Sequence, residues 1–134
     1  INSEKTGGPV MKTIISTEKA PGAIGPYSQA IEVNGLVFTS GVIPVVPETG
    51  VIPEGIEAQA DQAIKNLVEL VKASGSTAEK VIKTTVFIKN MNDFAKVNEI
   101  YAKYFTENFP ARSCVEVARL PKDVLIEIEA IAMK

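Results

Sequence analysis

The stretch from Phe109 to Ala132 constrains the fold more than any other part of this 134-residue chain. Two β-prone runs flank Leu120-Pro121-Lys122-Asp123, a turn, so the segment predicts a β-hairpin. It holds the only cysteine, Cys114, and both arginines, Arg112 and Arg119. Three carboxylates also lie on its strand-like backbone, Glu116, Glu127 and Glu129. Strands normally carry few charges. Their concentration on one hairpin marks a functional site or an unusually charged surface.

Composition bears on this choice mainly through what is missing. The chain has no histidine, which excludes Ser-His-Asp and Cys-His nucleophile systems and His-ligated metals. One cysteine excludes an intrachain disulfide and a thiolate zinc cage, and suits a reducing cytosol. No Gly-rich nucleotide cradle is visible, so neither cofactor nor metal is expected. A net charge of −2 and a pI near 5.2 provide no general attraction to nucleic acid. No apolar run reaches the ~18 residues of a membrane span, so a cytoplasmic protein is expected. The chemistry must run on Arg, Tyr, Ser, Glu, backbone groups and water.

Residues 1–10 show neither helical nor strand periodicity and precede Met11, so they read as an expression-tag remnant. Residues 11–134 have the length of one domain, and 46% hydrophobic residues can fill a core. Lys12 to Ser16 is a short β-prone run, followed by a stiff Pro- and Gly-dense loop from Ala20 to Ser28. Asn34-Gly35 between Gln29–Val33 and Leu36–Ser40 is a strong hairpin signal. Glu57 to Ala73 carries a helical stripe of Ala60, Ala63, Ile64, Leu67, Val68 and Val71, with Gly75 placed to stop it. Val81 to Lys89 reads as a strand. Asn92 or Asp93 can cap a second helix with the stripe Phe94, Val97, Tyr101, Tyr104 and Phe105.

The order predicts an α+β domain of about six strands with two helices on one sheet face. Ile82, Thr84, Val86 and Ile88 form the face expected under the helices, opposite Val81, Lys83, Thr85, Phe87 and Lys89. Ile126, Ile128, Ala130 and Ala132 likewise oppose Leu125, Glu127, Glu129 and Ile131, and Leu36 and Phe38 add to the uncovered face. A partly apolar face left open predicts a homo-oligomer with a site where subunits meet.

Six residues are candidates. Arg112 at a strand start either grips a carboxylate bidentately or pairs with a local glutamate. Cys114, with no base beside it, reads as a small buried residue rather than a nucleophile. Glu127 is either a general base or a solvated, ion-paired carboxylate. Tyr27 reads as loop packing or as a wall, Ser40 as a turn-stabilising or ligand-facing hydroxyl. Asn98 lies on the apolar stripe of the second helix, where backbone partners would satisfy it.

Five segments carry a resemblance in order along the chain: Gly25-Pro26-Tyr27-Ser28-Gln29-Ala30, Thr39-Ser40-Gly41, Lys83-Thr84-Thr85-Val86-Phe87, Pro110-Ala111-Arg112-Ser113-Cys114-Val115-Glu116-Val117-Ala118-Arg119-Leu120-Pro121, and Ile126-Glu127-Ile128-Glu129-Ala130. With these, residues 11–134 resemble the reactive-intermediate deaminase family, RidA branch. The connection 106–109 is shorter than in some relatives, which bears on a pocket rim. The resemblance implies a chorismate-mutase-like fold, a homotrimer and clefts between subunits. It also implies hydrolysis of 2-iminobutanoate and 2-iminopropanoate to 2-oxo acids and ammonia. Arg112 would then bind the substrate carboxylate, the Cys114 backbone would hydrogen-bond the reacting group, and Glu127 would orient or deprotonate water. Tyr27, Ser40 and Asn98 would complete the pocket. An iminium carbon is already electrophilic, so such hydrolysis requires no metal, cofactor or protein nucleophile. The competing readings are a non-catalytic trimer that senses 2-oxo acids and, against the acidic pI, an RNA-acting protein.

Overall fold

The computed structural model describes residues 11–134, so the reading of residues 1–10 as a tag remnant lies outside the described part. Six strands and two helices follow in order: β1 (Thr13–Ile15), β2 (Ala30–Val33), β3 (Leu36–Thr39), α1 (Ile56–Ala73), β4 (Val81–Ile88), α2 (Phe94–Tyr104), β5 (Ala111–Glu116) and β6 (Ile126–Met133). They form one mixed sheet in the order β1-β2-β3-β6-β4-β5.

Local signals behave as chain chemistry dictates. Asn34 (φ 53°) and Gly35 (φ 79°) both take positive φ, which makes the tight turn joining Val33 to its partner Leu36. Helix α1 ends at a left-handed Gly75 (φ 88°). There the Gly75 N–H donates to Lys72 C=O and the Ser76 N–H to Val71 C=O, satisfying carbonyls that the helix end orphans. The buried stripe of α1 runs through Ala60, Ala63, Ile64, Leu67, Leu70 and Val71; Leu70 takes a place that periodicity assigns to Val68, which is half-buried. Asp93 takes the N-cap position of α2, as expected, but its side chain makes no capping bond; the capping oxygen is that of Asn90, which accepts from Asn92 N–H at 2.9 Å on the short 3-10 turn just before.

The hairpin expected from Phe109 to Ala132 does not form. β5 pairs in parallel with β4, and β6 pairs antiparallel with both β4 and β3, so β4 stands between the two runs. Burial explains the placement. Ile126, Ile128, Ala130 and Ala132 are at most 3% exposed and need neighbours on both sides, whereas the charged β5 tolerates an edge. Helix α2 supplies the crossover that a parallel pair requires.

Both helices pack on one face, against Val37, Val86, Ile88, Ile126 and Ile128, all fully buried. Each such aliphatic side chain contributes roughly 1.5–3 kcal/mol on burial. One assignment of faces changes. A bulge between Val81 and Lys83 puts Val81 (4% exposed) under the helices and turns Ile82 (42%) outward; Thr84, Val86 and Ile88 lie as expected. A smaller cluster of Ile43, Leu120 and Val124 covers Phe87 at one end of the other face, leaving Phe38 and Val115 exposed there.

Candidate active site in two halves

The first half is built on the edge strand. Arg112 lies opposite Thr84 and Cys114 opposite Val86, so both belong to the face covered by the helices. The Arg112 Nη1 donates to Asn98 Oδ1 at 2.8 Å, and its Cζ stands 4.9 Å from the Tyr101 ring centroid and 5.4 Å from that of Phe94. Asn98 is therefore engaged by a side chain, not by the backbone expected from its place on the stripe. Among the described residues Arg112 forms no salt bridge. Glu116, a nearby carboxylate on the same strand, accepts the Met91 N–H at 2.8 Å. The other arginine, Arg119, is exposed and held by Asp123 at 2.8 Å.

Cys114 sits two residues along from Arg112. Burial pushes its thiol pKa up, with the nearby guanidinium opposing, so the sulfur is protonated and poorly nucleophilic at neutral pH. Its backbone is better placed. The Val117 N–H donates to Ile88 C=O at 2.9 Å, so odd-numbered residues of this segment face β4. Alternation then turns the N–H and C=O of Arg112 and Cys114 toward the free edge of the sheet.

The second half gathers on the opposite face. Glu127 pairs with Phe87, and Glu129 with Thr85, between buried isoleucines that point the other way. The Glu127 carboxylate lies against the backbone of Gly41. A Cβ there would collide with it, its Cδ being 2.6 Å away, so only glycine leaves the room. Hydrogen bonds between Val42 and Ile128, at 2.7 and 3.0 Å, fix that approach. Burial, and then the neighbouring Glu129, raise the Glu127 pKa; no hydrogen bond or cation stabilises its charge among the described residues.

Ser40 precedes Gly41 and spends its hydroxyl on the turn, donating to Ser28 C=O at 2.7 Å. Tyr27 is 46% exposed, and its hydroxyl accepts the Ile24 N–H at 3.3 Å. Tyr27, Ser40, Gly41 and Lys122 border a cleft of about 150 Å³. Its loop is pinned from below by Gln29, 7% exposed, which accepts from Thr17 N–H and donates to the carbonyls of Thr17 and Pro21. Neither Gln29 nor Gly41 announces a role by composition or periodicity; each works through contacts made far along the chain.

The six candidates therefore separate into two groups. Arg112, Asn98 and Cys114 lie on one face, Glu127, Ser40 and Tyr27 around the other. With β4 between them, β5 and β6 are roughly 10 Å apart. The convergence expected on one hairpin does not occur within the single chain. Among the described residues no His, Cys, Asp or Glu cluster could hold a metal ion, and no helix is long and apolar enough to cross a membrane.

Comparison with known proteins adds lineage to this geometry. The family profile described as Endoribonuclease L-PSP matches residues 17–134. A 2-iminobutanoate/2-iminopropanoate deaminase of Salmonella typhimurium is 55% identical over 92% of this chain and 99% of its own length. The chain belongs to this family, the reactive-intermediate deaminases. A RutC family protein of Haemophilus influenzae is 57% identical over 93% of this chain and 99% of its own. Among solved structures, Escherichia coli TdcF with bound serine superposes with a TM-score of 0.88 at 52% identity, covering 91% of this chain and 98% of that one. The family fold is thus the one described above, a six-stranded mixed sheet with two helices.

Proposed function

We propose that this family member hydrolyses 2-iminobutanoate and 2-iminopropanoate to 2-oxo acids and ammonia, at sites assembled between the subunits of a homotrimer. The observation that carries the reading is Arg112: a half-buried guanidinium whose partners are an amide oxygen and two aromatic rings. Its remaining N–H groups are free, among the described residues, to take a substrate carboxylate in a bidentate grip. Identity of 55% to a named imine deaminase supports the same chemistry.

In this mechanism Arg112 holds the carboxylate, and the outward N–H or C=O of Cys114 hydrogen-bonds the iminium nitrogen or the oxygen that replaces it. Glu127 orients a water and takes its proton as the oxygen attacks the iminium carbon. The resulting carbinolamine receives that proton back on nitrogen. Ammonia leaves as the C–N bond breaks, and it takes the hydroxyl proton as the C=O group forms, departing as ammonium. Burial and Glu129 make Glu127 a stronger base than an ordinary glutamate, which suits both transfers. Tyr27 and Ser40 wall the cleft.

Opposite faces require two copies. Glu127 and Arg112 reach one substrate only if the open face of one subunit meets the edge strand of the next, and the exposed apolar residues of that face supply a contact surface. A 2-oxo acid sensor would need only the arginine half and leaves Glu127, half-buried and without a partner among the described residues, without purpose. For an RNA-acting protein the acidic pI and the lack of histidine are the wrong chemistry.

Mixing two inactive variants tests the proposal. Arg112→Ala and Glu127→Gln, dissociated and reassembled together, should regain turnover of freshly generated iminobutanoate, followed by semicarbazone formation. Random assortment in a ring of three restores about one site in four. No recovery from folded mixed trimers would place both residues in one subunit's site and defeat the shared-site reading.

A further inference from the structure

The helix face above Arg112 has a second layer. Phe94, Asn98 and Tyr101 recur at the helical spacing of i, i+4 and i+7 along α2. Tyr101 is 6% exposed and packs against Phe105 with ring centroids 4.6 Å apart. At its far end the Tyr101 hydroxyl shares a 2.8 Å hydrogen bond with the hydroxyl of Thr84. Thr84 is 0% exposed on β4, among apolar neighbours that fill the core without a hydroxyl, and it is the register partner of Arg112.

We propose that Tyr101, tied to Thr84 and joined by Phe94, whose ring also lies beside the guanidinium, is a positioning residue that holds the Arg112 guanidinium at the angle its substrate carboxylate requires. This rests on the reading of Arg112 as the carboxylate anchor. An arginine on an edge strand samples many rotamers in water, and ordering it at the moment of binding weakens the grip. Here β4, which pairs with the arginine's strand, also tethers the ring beneath it through Thr84. The ring presents its negative face to the guanidinium, and Asn98 takes one N–H, which fixes the rotation of the plane. Burial raises the Tyr101 pKa, opposed by the Thr84 bond and Arg112, so the contact is to a neutral phenol at working pH.

Only two arginines occur in the chain, so the side-chain Nε–H signals of the intact protein form a two-line spectrum. Arg119, exposed and paired with Asp123, is the internal reference. In Tyr101→Phe, Thr84→Val and Phe94→Leu the Arg112 Nε–H should exchange with water faster while Arg119 is unchanged. KM should rise about fivefold to tenfold, the scale of one hydrogen bond, with kcat nearly preserved. The double variant Tyr101→Phe/Thr84→Val removes both buried hydroxyls, so stability should recover while KM does not. Recovery of KM with stability would reduce the pair to core filling and overturn the proposal, as would an unchanged Arg112 signal in all three single variants. Arg112→Ala is run alongside. A wild-type KM there sinks the anchor reading, whereas the Nε–H exchange still decides whether Tyr101 orders the side chain.

Discussion

Arg112 and Glu127 are both half-buried charges on strands, two strands apart, and their surroundings differ in kind. The guanidinium is surrounded by partners: an amide oxygen, two rings, and behind one ring a buried hydroxyl pair. Among the described residues the carboxylate has almost none, and it lies in a gap left by a missing Cβ with a second carboxylate as its neighbour. A binding group gains from being held still, because its rotamer entropy is then lost in folding rather than in binding. A base gains from the reverse, since every donor given to a carboxylate lowers its proton affinity. Preorganisation and under-satisfaction are thus divided between two faces of one sheet.

That contrast can be broken at four points. Glu127→Gln deletes the proposed base and should lower kcat by about 10²–10⁴, the usual worth of general base catalysis, while affinity for 2-oxobutanoate by calorimetry stays near wild type. The acid limb of kcat/KM should lie above the ordinary glutamate range and vanish in the variant. The folded-state pKa of Glu127 is raised, so its ionised form opposes folding above that pKa and the penalty fades as pH falls toward the unfolded value. Glu127→Gln should therefore melt a few degrees higher at neutral pH and lose that advantage in acid. An unaltered pH profile would mean that another group takes the proton.

Arg112→Lys keeps the charge but loses the planar fork and its fit between rings and amide. A loss of about 2–5 kcal/mol in transition-state binding is expected, read as kcat/KM, with the larger part in KM. Near-wild-type activity would show that a point charge suffices and that the aromatic cradle has another purpose.

Gly41→Ala leaves both charges in the chain and displaces only the carboxylate. The group it meets is the end of a flexible side chain, so the fold should survive. Misplacing the base by about 1 Å should lower kcat roughly 10²-fold, and circular dichroism should show native structure. Full activity would mean that the carboxylate does not work from the Gly41 gap.

Cys114→Ala should do least, a loss of no more than about tenfold from repacking, because the thiol is protonated and the proposed role uses only the backbone. Inactivity of this variant with normal folding, beside an active Glu127→Gln, would replace the water mechanism with a thiol adduct.

Legibility followed the range of the interactions. Asn34-Gly35, the α1 stripe and its Gly75 stop were readable because each is settled within a few residues by φ preference or helical period. Alternation along 126–132 likewise predicted that Glu127 and Glu129 share the face opposite the isoleucines, and so they do. The count of six strands and two helices was within reach for the same reason. Which strands become neighbours was not. Period-two patterning states that a strand has two faces but not where it stands in a sheet, and the run 109–132 satisfies a hairpin pattern as well as it satisfies the observed crossover. Tertiary burial decided it: β6, apolar along one whole side, took the centre, and β5 with its charges took the edge. The bulge at Val81–Lys83, the Gly41 gap and the Thr84–Tyr101 bond are likewise products of chain segments meeting at a distance. The sequence by itself singled out Arg112 and Glu127 as candidates, and the family resemblance, not elimination among residue types, gave each its proposed role. Only the pairing of β5 with β4 decided that Arg112 stands on the face opposite Glu127, since β5, unlike β6, has no apolar alternation of its own to choose a side.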